Sequence, residues 1–198
     1  MLEHCNFMEL TKETLRKYHG FFCKDEDITE FFTQDFADYS YQLLGKSYCF
    51  VSNESSDIVC AFTIANSSIK VDNLPNNQRN KLNRKIPNAK RRSQYPAVLI
   101  GQLAVSDKYC GHHIGDELLD FIKSWFIEPF NKTGCRYIIV DAVNHPKVFD
   151  YYSRNGFKFL FSSDEEEWKF LHHQGQNSIS VPSMRTRLMY FDLIYLRP

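Results

Sequence analysis

The chain has 198 residues, 43% of them hydrophobic and 24% charged, with 24 basic and 24 acidic side chains in balance. That length suits one domain with a sizeable core, and the balanced charge excludes a protein that finds nucleic acid or an anionic membrane through its net charge. No apolar run approaches the roughly 20 residues needed to cross a bilayer. Met1-Leu2-Glu3-His4-Cys5 has neither a basic nor an apolar leader segment, so no signal peptide is expected. The six cysteines, at 5, 23, 49, 60, 110 and 135, make no Cys-x-x-Cys pair and share no spacing with histidines. Neither a disulfide framework nor a metal site is expected, and reduced thiols point to the cytoplasm.

In chain order, His4 to Leu10 reads as a first strand and Thr11 to Tyr18 as a short helix. Asp27 to Leu44 carries Ile28, Phe31, Phe32, Phe36, Tyr39 and Leu43 at helical spacing, opens on an Asp27–Glu30 capping box and stops at Gly45. Ser47 to Ser52 and Ile58 to Ala65 are apolar runs either side of Asn53-Glu54-Ser55-Ser56-Asp57, the pattern of an antiparallel hairpin. A polar region follows, Asn66 to Tyr95. Within it Arg79, Lys81, Arg84, Lys85, Lys90, Arg91 and Arg92 occur with no acidic residue among them. Such a run is either a solvated face or a patch for polyanions, whether RNA or the 3′-phosphate of a nucleotide cofactor.

The central stretch runs from Ala97 to Phe126. An apolar, β-prone segment, Ala97 to Val105, meets a polar loop containing Gly111, with Gly115 just beyond. Behind the loop, Ile114, Leu118, Leu119, Ile122, Trp125 and Phe126 mark an amphipathic helix. A strand, a glycine-bearing loop and a helix, in that order, point several backbone N–H groups at a bound phosphate. On that ground alone, the ligand carries phosphate.

Arg136 to Val143 is a β-branched run and reads as a buried strand. Asn144-His145-Pro146 starts a helix, with Asn144 as its cap, and Asn155-Gly156 ends it. Phe157 to Phe161, Trp168 to Leu171 and Thr186 to Tyr195 read as closing strands, the last apolar on both faces, with the acidic Asp164 to Glu167 as a hairpin turn.

Two motifs in this order resemble the hallmarks of the Gcn5-related N-acetyltransferase (GNAT) superfamily. Leu103-Ala104-Val105 precedes Cys110-Gly111-His112-His113-Ile114-Gly115, close to that family's Gln/Arg-x-x-Gly-x-Gly/Ala loop. Tyr151-Tyr152-Ser153-Arg154-Asn155-Gly156-Phe157 matches its aromatic pair followed by Gly-Phe, and the two motifs are separated by a helix and a strand, as in the family. Cys110 stands where Gln or Arg is usual, and His113 where the first glycine is usual. Histidine reaches φ > 0 more readily than most residues. Two readings of His113 stay open: it is tolerated at some cost in affinity, or its ring donates to phosphate.

The resemblance implies an α/β (α+β, three-layer) GNAT fold spanning residues 1–198. Its mixed, mostly antiparallel sheet would be splayed between strands 4 and 5 and flanked by helices. It implies acetyl-CoA as cosubstrate, with the amides of Cys110, Gly111, His112, His113, Ile114 and Gly115 holding the pyrophosphate. The edge of Leu103, Ala104 and Val105 would pair with the pantetheine arm, and Asn144 would also contact the cofactor. A backbone N–H near Leu103 would face the thioester oxygen. Tyr152 is implied as the general acid for the departing sulfur, with Tyr151 as the packing aromatic. Asp141, on the fifth strand, is a candidate base that nothing in the sequence singles out.

Within the superfamily the chain most resembles the acetyltransferase toxins of toxin–antitoxin pairs. The shared features are the basic insert with Leu74-Pro75, Tyr95-Pro96-Ala97-Val98-Leu99-Ile100-Gly101, then Leu103-Ala104-Val105, and Val140-Asp141-Ala142. Those toxins acetylate the amino group of an aminoacyl-tRNA, which implies a tRNA contact through Arg79–Arg92; Gln102 stands where they carry arginine. A small amine and a protein N-terminus are the other acceptors, and a homodimer is left open. A non-catalytic CoA-binding module is the alternative from a different class.

Overall fold

A computed structural model describes residues 1–72, 74–89, 92–131, 133–172 and 183–197. Seven strands form one mixed, mostly antiparallel sheet in the order β1-β2-β3-β4-β5-β7-β6, with β4 parallel to β5. They are β1 (Cys5–Glu9), β2 (Lys46–Ser52), β3 (Ile58–Lys70), β4 (Gln94–Val105), β5 (Tyr137–Val143), β6 (Lys158–Phe159) and β7 (Thr186–Asp192). The residues cluster in two compact units, Met1–Asn66 with Leu99–Glu128, and Ser67–Val98 with Pro129–Pro198.

In the first unit, β1 and β2 pair from Cys5↔Ser52 to Glu9↔Tyr48, and β2 pairs with β3 from Lys46↔Ile64, with a bulge between Phe50 and Val51. The period of two along β2 separates two cores. Cys49 and Val51 join Leu10, Phe21, Phe32, Phe36, Ile58 and Ala61 on the face covered by α1 (Lys12–Lys17), α2 (Glu26–Glu30) and α3 (Phe36–Tyr41). Tyr48 and Phe50 join Phe7 and Phe62 on the other face, where Phe121 (tilted) and Trp125 (edge-on) of α5 (Ile114–Ile127) pack against Phe7 with centroids 4.7 and 5.1 Å away.

The expected helix from Asp27 to Leu44 is broken. Its cap is Asp25, whose side chain accepts from the Ile28 amide at 3.2 Å, so Asp27 lies inside the first turn. A π-helical turn, Phe31–Asp35, separates α2 from α3. There the Thr33 hydroxyl donates to the Thr29 carbonyl at 2.7 Å, competing with the helical ladder. The helix stops at Tyr41 with Gln42 as its cap, and Leu43, at φ 58°, rather than Gly45, takes the left-handed conformation beyond it. Gly45 is needed for close approach: a Cβ there would lie 2.7 Å from the Ile64 carbonyl oxygen.

In the second unit, β5 and β7 pair from Tyr137↔Asp192 to Val143↔Thr186, and β6 adds only Lys158↔Tyr190 and Phe159↔Met189. The strand expected over Phe157 to Phe161 therefore shrinks to two residues. The polar insert contains α4 (Asn76–Asn83), which buries only Gln78 and Leu82. Polar bonds hold it. Gln78 Nε2 donates to Ser162 and Glu166, the Tyr95 hydroxyl to Asn83 at 2.6 Å, and the Tyr137 hydroxyl to the Leu82 carbonyl at 3.2 Å. α6 spans Pro146–Arg154 and α7 Asp164–Leu171.

Two expectations fail at α7. Asp164 to Glu167 is its first turn rather than a hairpin, and Trp168 to Leu171 is helix rather than strand. Ser163 caps it by accepting from the Glu166 amide, and four acidic side chains sit at the helix's positive end. Strand β7 stops at Asp192 and passes into a tight turn, Leu193–Leu196. It is not apolar on both faces: Arg187, Met189 and Phe191 are buried, and Arg187 is held by Glu167.

Candidate active site

The loop after β4 is built to expose amides. Ser106 donates its N–H to Val59 of β3, and a 3-10 turn, Asp107–Tyr109, follows. Gly111 then takes φ 84° and His113 φ 58°, ψ 15°, both left-handed, before α5 begins at Ile114. Nothing would crowd a Cβ on Gly111, so its positive φ is what calls for glycine. Left-handed residues alternating with others turn successive N–H groups to one side, as an anion-binding nest does. Among the described residues the amides of Gly111, His112, His113 and Ile114 donate to no protein acceptor. They lie at the N-terminus of a 14-residue helix, whose dipole adds to their attraction for an anion.

Two side chains of this loop have protein neighbours. Cys110 is exposed and its Sγ lies 3.9 Å from the Val105 carbonyl; His113 is exposed, with Nδ1 3.1 Å from Asp116 Oδ2. Leu103, Ala104 and Val105 end β4 half-buried, whereas Tyr95, Ala97, Val98 and Ile100 before them are buried.

A cluster that sequence reading missed anchors the loop. Asp57, at the end of the β2–β3 turn, receives Lys108 Nζ at 2.5 Å and the Tyr109 hydroxyl at 2.6 Å, and Ser55 Oγ meets the same hydroxyl at 2.9 Å. These bonds, Lys108 foremost, hold the Asp57 carboxyl well below the usual carboxylate range. No local pattern announces a pair 51 residues apart in sequence.

The second unit holds the other predicted residues. Tyr152 lies on α6, packed on Tyr151 at 5.0 Å and Phe157 at 5.4 Å. Its side chain keeps some solvent contact, yet burial alone pushes its hydroxyl up to about 12. The Arg154 guanidinium lies 5.2 Å over the Tyr151 ring. Gly156, at φ 84°, ends this segment; a Cβ would come within 3.0 Å of Phe191. Asn144 is not the helix cap; His145 is, accepting from the Lys147 amide at 3.2 Å. Asn144 Nδ2 instead donates to Asp164 Oδ2 at 3.1 Å and to the Met184 carbonyl at 2.9 Å. Asp164 in turn pairs with Arg187, whose Nε meets Glu167 at 2.6 Å. Asp141 is exposed on β5, and crowding by protein raises its carboxyl.

The basic run separates along the fold. Arg79 bonds Asn76, Lys81 lies on α4, Arg84 and Lys85 follow it, and Arg92 donates its amide to Ala89; Lys90 and Arg91 lie outside the described residues. Among the described residues no group of His, Cys, Asp and Glu could hold a metal ion, and no helix is long and apolar enough to cross a membrane.

No protein-family model and no curated protein sequence matches the chain. Solved structures do. A tyrosine-to-phenylalanine mutant of KacT is 17% identical, with a TM-score of 0.66 over 98% of this chain and 97% of that one. AtaT complexed with acetyl-methionyl-tRNAfMet is 18% identical, with a TM-score of 0.66 over 97% of this chain and 96% of that one. AtaTR bound with AcCoA is 16% identical, with a TM-score of 0.59 over 98% and 96%. The fold expected from the two motifs is therefore the fold found: this chain has the GNAT fold seen in KacT and AtaT.

Proposed function

We propose that the protein is an acetyl-CoA-dependent N-acetyltransferase. The observation that carries this reading is the row of four uncommitted amides, Gly111 to Ile114, at the start of α5 in a chain of GNAT fold. Their chemistry fits a pyrophosphate, and AtaTR, of the same fold, is solved with AcCoA. Cys110 and Gly115 flank that row, and the half-buried end of β4, Leu103 to Val105, offers backbone to a pantetheine arm. Asn144 holds the start of α6 through Asp164 and Met184 and is proposed to contact the cofactor.

Acetyl-CoA supplies the activated acyl group. The acceptor's neutral amine attacks the thioester carbonyl, a C–N bond forms and the C–S bond breaks. Tyr152 donates a hydrogen bond to the departing sulfur and shares its proton with it; the amine's surplus proton leaves to solvent, and solvent returns one proton so that the free thiol and the neutral tyrosine are both restored. A hydroxyl raised to about 12 is fully protonated at neutral pH, the state an acid needs. A thiol has an ordinary value near 8.5, so Tyr152 acts by hydrogen bonding and partial transfer while the poorly solvated sulfur is most basic. The acceptor we favour is the amino group of an aminoacyl-tRNA, as the AtaT complex with acetyl-methionyl-tRNAfMet suggests, with the Arg79–Arg92 run toward the RNA.

The test is Tyr152→Phe. Thiol release from acetyl-CoA should fall about a hundredfold, while acetyl-CoA affinity by calorimetry changes less than threefold. Full turnover in that variant would remove Tyr152 from the acid's role. Tight acetyl-CoA binding by the wild type, with no thiol release for charged tRNA or any amine, would make this a binding module.

A further inference from the structure

The second unit contains an open cavity of about 250 Å³ whose lining includes no residue proposed to hold acetyl-CoA or to protonate its sulfur. Its wall combines Lys81, Arg84, Lys85 and Lys158 with the rings of Tyr190 and Tyr195, over a floor of buried Leu82. A pit of about 20 Å³, room for one water, continues it toward Tyr137 and Gly156. Tyr195 is 57% exposed, and two ammonium groups converge on its ring, Lys85 at 4.4 Å and Lys158 at 5.3 Å from the centroid.

The charges at this cavity do not balance. Among the described residues none of its four cations forms an ion pair. The one carboxylate in the wall, Asp192, is already taken by Arg136 through contacts of 2.7 and 3.0 Å. Cations gathered without a free carboxylate around an exposed aromatic ring are the chemistry that holds a nucleotide, the base stacking and the phosphate ion-pairing. The volume is near the low end for ligand sites and takes one base with its ribose, leaving phosphate at the rim.

We propose that this cavity is a binding site for one nucleotide unit. Its base stacks on Tyr195, displacing one lysine from that ring, and Lys81, Arg84, Lys85 and Lys158 take the phosphate. The unit comes from a single-stranded RNA end or from a free mononucleotide. The RNA form rests on the tRNA-linked acceptor proposed above; the site itself rests on the cavity.

The test is binding of a fluorescent adenosine monophosphate, a labelled single-stranded RNA octamer and inorganic phosphate to the whole protein. Tyr195→Ala should weaken both nucleotide probes at least tenfold and leave phosphate unaffected; Tyr195→Phe should bind like the wild type. Lys85→Ala should lower the salt slope for the octamer by about 1. An octamer tenfold tighter than the monophosphate identifies an RNA end, and equal affinities identify the mononucleotide. Unchanged nucleotide affinity in Tyr195→Ala overturns the site, as does loss of nucleotide binding when acetyl-CoA saturates the protein. Thiol release with a small amine should be unaltered in Tyr195→Ala. If charged tRNA is never acetylated but the nucleotide probes bind as stated, the acceptor reading fails and the site survives. If charged tRNA is acetylated, undiminished in Tyr195→Ala, and no nucleotide probe binds, the site fails and the acceptor reading survives.

Discussion

Two charged clusters, one in each unit, tie a loop or helix to the sheet, and they differ in depth. Asp57 gathers Lys108 and Tyr109 at the surface, where the Lys108 side chain is 64% exposed. Arg187 gathers Glu167 and the Phe161 carbonyl inside, where the Arg187 and Glu167 side chains are 8% and 3% exposed, and reaches Asp164 at the rim. Glu167 also accepts from the Leu188 amide at 2.7 Å, so both carboxylate oxygens are used. Both clusters hold residues near the proposed chemistry, the first just before the amide nest and the second through Asn144. Water screens the surface cluster and leaves it a modest tie; the buried one becomes costly once a partner is lost.

The largest effect should come from breaking the deep cluster. Arg187→Met leaves the Glu167 carboxylate buried without its cation and the Phe161 carbonyl without its donor. The expected loss is about 3–5 kcal/mol in urea unfolding. Replacing both charges, Arg187→Met with Glu167→Leu, should restore part of that loss, because no carboxylate is then buried unpaired, while the Phe161 carbonyl and the Leu188 amide still lack their partners. If the double variant is as unstable as the single one, the pair itself, rather than the orphaned carboxylate, carries the stability.

A smaller and different effect belongs to Asp57. Its carboxyl is held below its ordinary value, so the folded state binds a proton less readily than the unfolded chain does. The stability it contributes is present above the ordinary carboxylate value of about 3.9 and is lost as pH falls through the folded one. Asp57→Asn should therefore be less stable than the wild type at pH 7, with the gap closing as pH drops below about 4. Because Lys108 and Tyr109 lead into the nest, the same variant should raise the KM for acetyl-CoA several-fold and leave kcat alone. A gap that stays constant with pH would show that Asp57 acts through packing rather than charge.

The surface cluster and the deep cluster were equally invisible in the chain, since each joins residues far apart in sequence. What could be read was local. Leu103-Ala104-Val105, the loop and α5 were legible because a strand of period two meets a helix of period 3.6 across glycine. The Tyr151-to-Phe157 segment was legible because Gly156 needs its positive φ. Helix α7 was misread although Ser163 and Glu166 stand at capping-box spacing, because the acidic run looked like a turn and Trp168 to Leu171 looked like a short strand. Helix α4 hid for the opposite reason: it buries too little apolar surface to show a period and is held by hydroxyls and an amide. Tyr195 and Lys158 meet Lys85 only because β7, its closing turn and β6 bring them there.

His113 is where sequence and structure meet most closely, and its variants should give the smallest change in stability. At φ 58° it takes the left-handed conformation that glycine would take without strain. His113→Gly relieves that strain, but glycine costs roughly 0.4–1 kcal/mol in unfolded-chain entropy, and the contact with Asp116 is lost. The two sides nearly cancel, so the unfolding free energy should move by less than about 0.5 kcal/mol. His113→Val has no such compensation and should cost about 1–2 kcal/mol. Acetyl-CoA affinity then separates the two readings of the ring. If the histidine is merely tolerated, His113→Gly lets the backbone approach the pyrophosphate and tightens binding. If the ring donates to phosphate, the same variant weakens binding.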